Sequence, residues 1–128
     1  LGPLAVEKAI LNVKNSKLED FIYIKHEDFF KTQKGGEEHL HMVFNPPYGE
    51  RLDIEMESFY GAIGSTLKHK YPGTNAWMIS SNLEALKHIG LRPSRKIKLF
   101  NAKLESRFSK YEMYAGTKKI HKLKAQKD

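Results

Sequence analysis

No cysteine occurs in the sequence, which removes disulfides, cysteine nucleophiles and thiolate metal sites together and suits a reducing interior. Nor does any window approach the roughly 18 consecutive apolar residues that mark a membrane-spanning helix. The opening LGPLAVEKAI lacks the basic stretch and apolar run of a secretion signal, so a cytoplasmic location is expected. No segment repeats, which excludes a solenoid. Set against these absences, 40% of the 128 residues are apolar and 11% aromatic, enough for one core of ordinary size.

Acidic residues are scarce where basic ones gather. Residues 1 to 86 hold 9 Lys/Arg and 12 Asp/Glu, whereas residues 87 to 128 hold 13 and 3. The net charge of +7 is therefore the property of the last third. Such asymmetry points to a polyanionic partner, because each cation near a phosphate releases a counterion. A solvated face with a disordered tail accounts for the same imbalance.

After Pro3, apolar residues at Val6, Ala9, Ile10 and Val13 have the spacing of an amphipathic helix with proline in its first turn. FIYIKHEDFF (21 to 30) predicts a short strand, KTQKGGEE a polar loop and HLHMVF (39 to 44) a second strand. Met56, Phe59, Tyr60, Ile63 and Leu67 predict a helix from Ile54 to Lys68, whose Gly61 and Gly64 would let it lie close to a sheet. Next come the turn YPGTN, a third strand AWMIS, and a short helix in SNLEALKHIG capped by Ser81 or Asn82 and ended by Gly90. RKIKLF and RFSKYEMYA alternate as an antiparallel pair at a sheet edge, and TKKIHKLKAQKD is a frayed basic tail. The order predicts an α/β fold.

The tetrapeptide Asn45-Pro46-Pro47-Tyr48 ends the second strand abruptly. Proline bars its predecessor from helical geometry and has no N–H, so two in succession hold a rigid segment with free carbonyls. In open α/β sheets, ligands bind beyond the carboxyl ends of the strands. There the Asn45 side-chain carbonyl and the Pro46 main-chain carbonyl can accept both hydrogens of one amino group, while Tyr48 offers a ring face. A conjugated amine is a poor nucleophile. Two acceptors favour a pyramidal nitrogen and stabilise the positive charge that develops as it attacks.

NPPY resembles the catalytic motif of S-adenosylmethionine-dependent methyltransferases that act on exocyclic amines of nucleic-acid bases or on glutamine amides. The longer words NPPYGERL, YPGTNAWMISSNLEALKHIGLRPSRKIKLFNAKLESRFSKYEMY and PLAVEKAILNVKNSKLEDFI resemble the catalytic domain of bacterial large-subunit ribosomal RNA guanine-N2 methyltransferases, often labelled N6-adenine-specific DNA methylases. The resemblance runs from about Pro3 to Gly116. It implies a partial Rossmann-like class I methyltransferase sheet, mostly parallel with a C-terminal antiparallel hairpin. In that family a first strand and a glycine-rich cofactor loop precede the helix at Ala5 to Val13, and this chain has no GxGxG-like run; Gly35-Gly36 lies in a polar loop. Residues 1 to 116 are thus expected to be the C-terminal part of a catalytic domain, and 117 to 128 a basic tail. Alone, such a piece is expected to be inactive, and an unpaired sheet edge would favour self-association.

The resemblance also implies roles. Asn45 and Pro46 would polarise the target amine, with Tyr48 stacking on a base taken out of its helix. Asp28 would hydrogen-bond the adenine of S-adenosyl-L-methionine and Phe29 would pack on its ring; a cap and plain core are the competing roles. Pro47, Arg51, Phe100 and Asn101 would face the substrate, with Ala102 standing where glycine is common, and Arg92, Arg95, Lys96 and Lys98 could meet phosphates. No metal is expected, since His39 and His41 share a strand face without further ligands. The expected function is methyl transfer to guanine N2 of 23S rRNA; the alternatives are an adenine-N6 DNA methyltransferase and a non-catalytic RNA-binding fragment.

Overall fold

A computed structural model describes residues 2–47 and 54–115 of the chain, leaving out the side chain of Asn101. They fall into two units, Leu1–Thr32 and Gln33–Asp128. In the first, helix α1 (Pro3–Asn15) begins with proline in its first turn, as the stripe predicts. It stops where the Ser16 Oγ turns back to donate to the Val13 carbonyl at 2.7 Å and Lys17 takes a φ of 60°.

The strand expected at residues 21 to 30 does not form. Residues 22–28 are irregular, and a 3₁₀ turn follows at Phe29–Lys31. Phe21 and Tyr23 are 79% and 77% exposed. Strand preference measures fit to a laddered, half-buried surface, and none of the described strands pairs with this segment. Residue type alone did not supply a neighbour.

The second unit is a mixed four-stranded sheet with one long helix. Its elements are β1 (Leu40–Phe44), α2 (Ile54–Lys70), β2 (Thr74–Ser80), a 3₁₀ turn (Ala85–His88), β3 (Arg95–Asn101) and β4 (Leu104–Met113). The strand order is β1-β2-β4-β3. β1 runs parallel to β2, which needs a long crossover, and α2 supplies it. β4 is antiparallel to both β2 and β3, so the expected C-terminal hairpin is present, with β3 at the edge.

Alternation along β2 places the core. Thr74, Ala76, Met78 and Ser80 are 0% exposed, and Tyr60, Ile63 and Leu67 of α2 are buried with them. Each large apolar side chain so buried contributes about 1.5–3 kcal/mol. On the other face, Trp77 stacks on Phe108 at 4.7 Å and the Lys110 Nζ lies 5.9 Å from the indole centroid.

The glycines of α2 serve a different neighbour from the one expected. A Cβ on Gly64 would stand 1.6 Å from the Ile89 carbonyl oxygen, and one on Gly61 3.5 Å from that of His88. The close approach is to the 3₁₀ segment, not to the sheet. That segment is also shorter than the predicted helix. Asn82, rather than Ser81, is its side-chain acceptor, with Oδ1 3.0 Å from the Ala85 N–H, and Gly90 follows at a φ of 74°.

Candidate active site

Strand register decides which residues share an end of the sheet. Phe44 lies opposite Met78, Ser80 opposite Arg107, and Phe100 and Asn101 opposite Glu105 and Leu104. Asn45, Pro46, Pro47, Phe100 and Asn101 therefore gather at the carboxyl end of β1 and β2. They approach from opposite edges, roughly 14 Å apart at three strand spacings. Tyr48 and Arg51 lie outside the described residues.

At the corner after β1, Asn45 and Pro47 are exposed while Pro46 is buried. Among the described residues no group bonds the Asn45 side chain. The main chain beside it is tied down. The Tyr60 hydroxyl donates to the Pro47 carbonyl at 3.2 Å and lies 2.6 Å from the Ser80 Oγ, which accepts from the Asn82 N–H at 3.1 Å. A carbonyl can only accept, so the single proton of Tyr60 goes to Pro47 and Ser80 must donate to Tyr60. The chain then runs in one direction, from Asn82 N–H through Ser80 and Tyr60 to Pro47. Each link is worth about 0.5–1.5 kcal/mol net, and aligned links polarise one another in a dry interior.

The sequence pattern places Tyr60 only in the apolar stripe of α2. The available signal was tyrosine where phenylalanine would have filled the same space, because a buried phenol needs a partner for its hydroxyl. Ser80 and Asn82 gave no such hint, since their partners are set by the tertiary fold.

In the first unit, the Asp28 Oδ1 accepts from the Phe30 N–H at 3.0 Å and caps the 3₁₀ turn. Phe29 is half-buried and meets Phe30 edge to face, with ring centroids 5.6 Å apart. His39 and His41 pack edge to face at 4.9 Å. Among the described residues, no three potential metal ligands cluster.

The hairpin joining β3 to β4 turns at Ala102, whose φ of 57° is the left-handed conformation that favours glycine. Next to it Phe100 is 65% exposed. Lys98 is paired with Glu105 at 3.2 Å, whereas no described carboxylate pairs with Arg92, Arg95 or Lys96. Arg107 acts electrostatically on the buried Tyr111. Burial pushes that phenol above its usual 10.0, the Ser109 hydrogen bond and the Arg107 charge pull it back, and Tyr60 adds a smaller upward push.

Known proteins resemble this chain in sequence and in fold. A ribosomal RNA large subunit methyltransferase K/L from Hahella chejuensis is 32% identical over 91% of this chain and 17% of its own length. The protein of that name from Syntrophotalea carbinolica is 37% identical over 68% of the chain and 12% of its own length. The chain thus spans less than a fifth of these relatives. Among solved structures, SMU.472, assigned as a methyltransferase and complexed with SAH, superposes with a TM-score of 0.77 at 23% identity over 91% of this chain and 31% of its own. A predicted N6-adenine-specific DNA methylase from Listeria monocytogenes superposes at 0.68 with 26% identity, over 84% and 27% respectively. The four-stranded sheet therefore has the fold of part of a methyltransferase domain. The UPF0020 family, RMKL-like, methyltransferase domain, matches residues 2–110, and the chain belongs to it.

Proposed function

We propose that this chain supplies the amine-polarising corner of an enzyme that uses S-adenosyl-L-methionine to methylate an exocyclic amine of a nucleic-acid base, with guanine N2 of large-subunit ribosomal RNA as the target. The observation that carries the reading is the corner itself: an exposed Asn45 that no described residue bonds, beside a buried Pro46, with the next carbonyl anchored through Tyr60. The Asn45 side-chain carbonyl and the Pro46 carbonyl accept the two amine hydrogens. This draws the nitrogen lone pair out of ring conjugation and holds it in one direction. Stabilising the positive charge that grows on that nitrogen is the protein's main contribution. Proline at both following positions leaves no competing N–H donor there.

The fit to the cofactor is with its adenine end. Asp28 is an acceptor and Phe29 a ring face, the pair of groups an adenine amine and ring would meet. When bound, the cofactor supplies an electrophilic methyl group. In the described residues the paired glycines 35 and 36 have open space around them and no tight cradle, so the methionine end would be held by residues other than these. The residues from the N-terminus to 116 are on this reading the C-terminal part of a catalytic domain, and the chain alone is inactive.

Radiolabelled methyl transfer by a protein extended upstream tests the reading, with 23S rRNA and duplex DNA as alternative acceptors. Label in guanine N2 of the RNA is expected. Label only in adenine of DNA would replace the target, and the DNA methylase label carried by the Listeria neighbour makes that arm worth running. Failure of the extended protein to take up S-adenosyl-L-methionine in a calorimetric titration would remove the enzyme altogether.

A further inference from the structure

A second feature of the sheet lies beside the corner and has no role in polarising an amine. A cavity of about 390 Å³ opens where the loop after the 3₁₀ turn overhangs β3 and β4, and Lys87, Arg92, Lys96, Arg107, Ser109 and Tyr111 are among its walls. The register explains the gathering. Lys96 lies opposite Ser109 and Lys98 opposite Arg107, and Ser109 and Arg107 in turn face Met78 and Ser80. Lys96 and Arg107 therefore project from the face of the sheet that α2 covers farther along, on the part of it that α2 leaves open. Arg107, opposite Ser80, stands at the sheet end where the tether to Pro47 begins, two strand spacings from β1.

Three of its four cations lack a described counter-charge. Lys87 is held by Glu84 at 3.1 Å, but among the described residues no carboxylate pairs with Arg92, Lys96 or Arg107. Elsewhere on the same hairpin the pattern differs, since Lys98 meets Glu105 and Lys110 meets Glu112. Three neighbouring cations without counter-charges repel one another and are stabilised by an anion. Arginine in particular presents a planar fork that matches two phosphate oxygens. Contacts of these cations with phosphate would position a chain without reading its sequence.

We infer that this cavity is a phosphodiester-binding subsite, in which Arg92, Lys96 and Arg107 grip the RNA backbone next to the nucleotide whose base is presented at Asn45. The inference rests on the proposed RNA methylation, but its test does not. A short fluorescein-labelled single-stranded RNA is titrated with the full chain over a series of KCl concentrations. The proteins are wild type, R92Q/K96Q, R107Q and a control, K68Q/K70Q, which removes the same charge as the double variant from the last turn of α2. Arg92, Lys96, Lys68 and Lys70 are all exposed, so these pairs leave the core untouched.

Wild type should bind with steep salt dependence. R92Q/K96Q should bind about tenfold more weakly at moderate salt, with a slope of log affinity against log salt shallower by roughly 1.4, the value for two lost phosphate contacts on a single strand. R107Q should lose affinity as well, and the control should stay near wild type. Equal losses in R92Q/K96Q and K68Q/K70Q would overturn the inference, since spread charge would then suffice. So would no RNA binding by wild type, or binding to phosphatidylserine vesicles, but not to RNA, that depends on Arg92 and Lys96. Methyl transfer by the extended protein separates the two ideas. Transfer with an unchanged KM for RNA in R92Q/K96Q sinks the cavity and leaves the chemistry, whereas no transfer by any protein sinks the chemistry while the titration still decides the cavity.

Discussion

The corner after β1 and the cavity beside β3 are built from opposite materials. The corner is fixed by neutral groups in a dry interior: Tyr60 and Ser80 are both 0% exposed, and one directional run of hydrogen bonds ends on Pro47. The cavity is open, and three of its four cations, Arg92, Lys96 and Arg107, have no carboxylate partner among the described residues. A reacting amine must be held to a fraction of an ångström, which favours short directional bonds that water cannot replace. A phosphate is attracted from several ångströms away, which exposed charge achieves without fixed geometry. The difference separates turnover from affinity, and substitutions in the two regions should separate them too.

The largest effect is expected at Asn45. In the upstream-extended protein, Asn45→Ala removes one of the two acceptors and should lower kcat by about 10²–10³, the cost of deleting one preorganised group at a developing charge. RNA affinity should stay within twofold of wild type. A fall in affinity with kcat intact, read from single-turnover methyl transfer, would merge the two regions into one.

Next comes the support beneath the corner. Gly64→Ala drives a methyl into the Ile89 carbonyl, with 1.6 Å available, and the neighbour struck is backbone, which cannot swing aside. A loss of about 1–3 kcal/mol is expected from overpacking, measured by urea denaturation. The shift would also displace the segment that carries Asn82, the first donor of the relay. An unchanged midpoint would mean that α2 and the 3₁₀ segment separate easily, and the corner would then not be rigidly backed.

How far sequence could reach is visible in the same elements. Periodicity located α1, α2 and all four strands, because each answers to a repeat of apolar residues along one face. The NPP corner was legible because proline constrains the chain wherever it stands. FIYIK misled for the reason that the tether was hidden. A strand and a buried hydroxyl both need a partner from elsewhere in the chain, and no local pattern names it. Gly61 and Gly64 announced a close approach but not its target, and the cavity cations were visible only as members of a charge imbalance until the register put Lys96 and Arg107 on one face.

Tyr60→Phe sharpens the comparison with a smaller effect. It leaves the packing and removes the hydroxyl, so the Pro47 carbonyl loses its donor and Ser80 its acceptor. Stability should fall by about 1–2 kcal/mol, and kcat in the extended protein by a larger factor than KM for RNA rises. A purely structural tyrosine would lower stability and leave the ratio of kcat between Tyr60→Phe and wild type near one at temperatures well below unfolding.

The smallest expected effect belongs to Tyr111, which lines the cavity yet is buried. Its phenol is raised above the usual 10.0, chiefly by burial. A raised folded value means that the unfolded chain gives up this proton first, so the stabilisation is complete below about pH 10 and is lost as pH climbs through the folded value. Melting temperatures of wild type should therefore decline above that pH, and Tyr111→Phe should decline less steeply. Arg107 opposes the shift by favouring the phenolate, so R107Q should leave the onset near pH 10 and make the decline deeper and carry it on to higher pH. An R107Q profile superimposable on wild type would place the guanidinium charge too far from Tyr111 to act, and with it would go the view of Arg107 as part of the cavity wall.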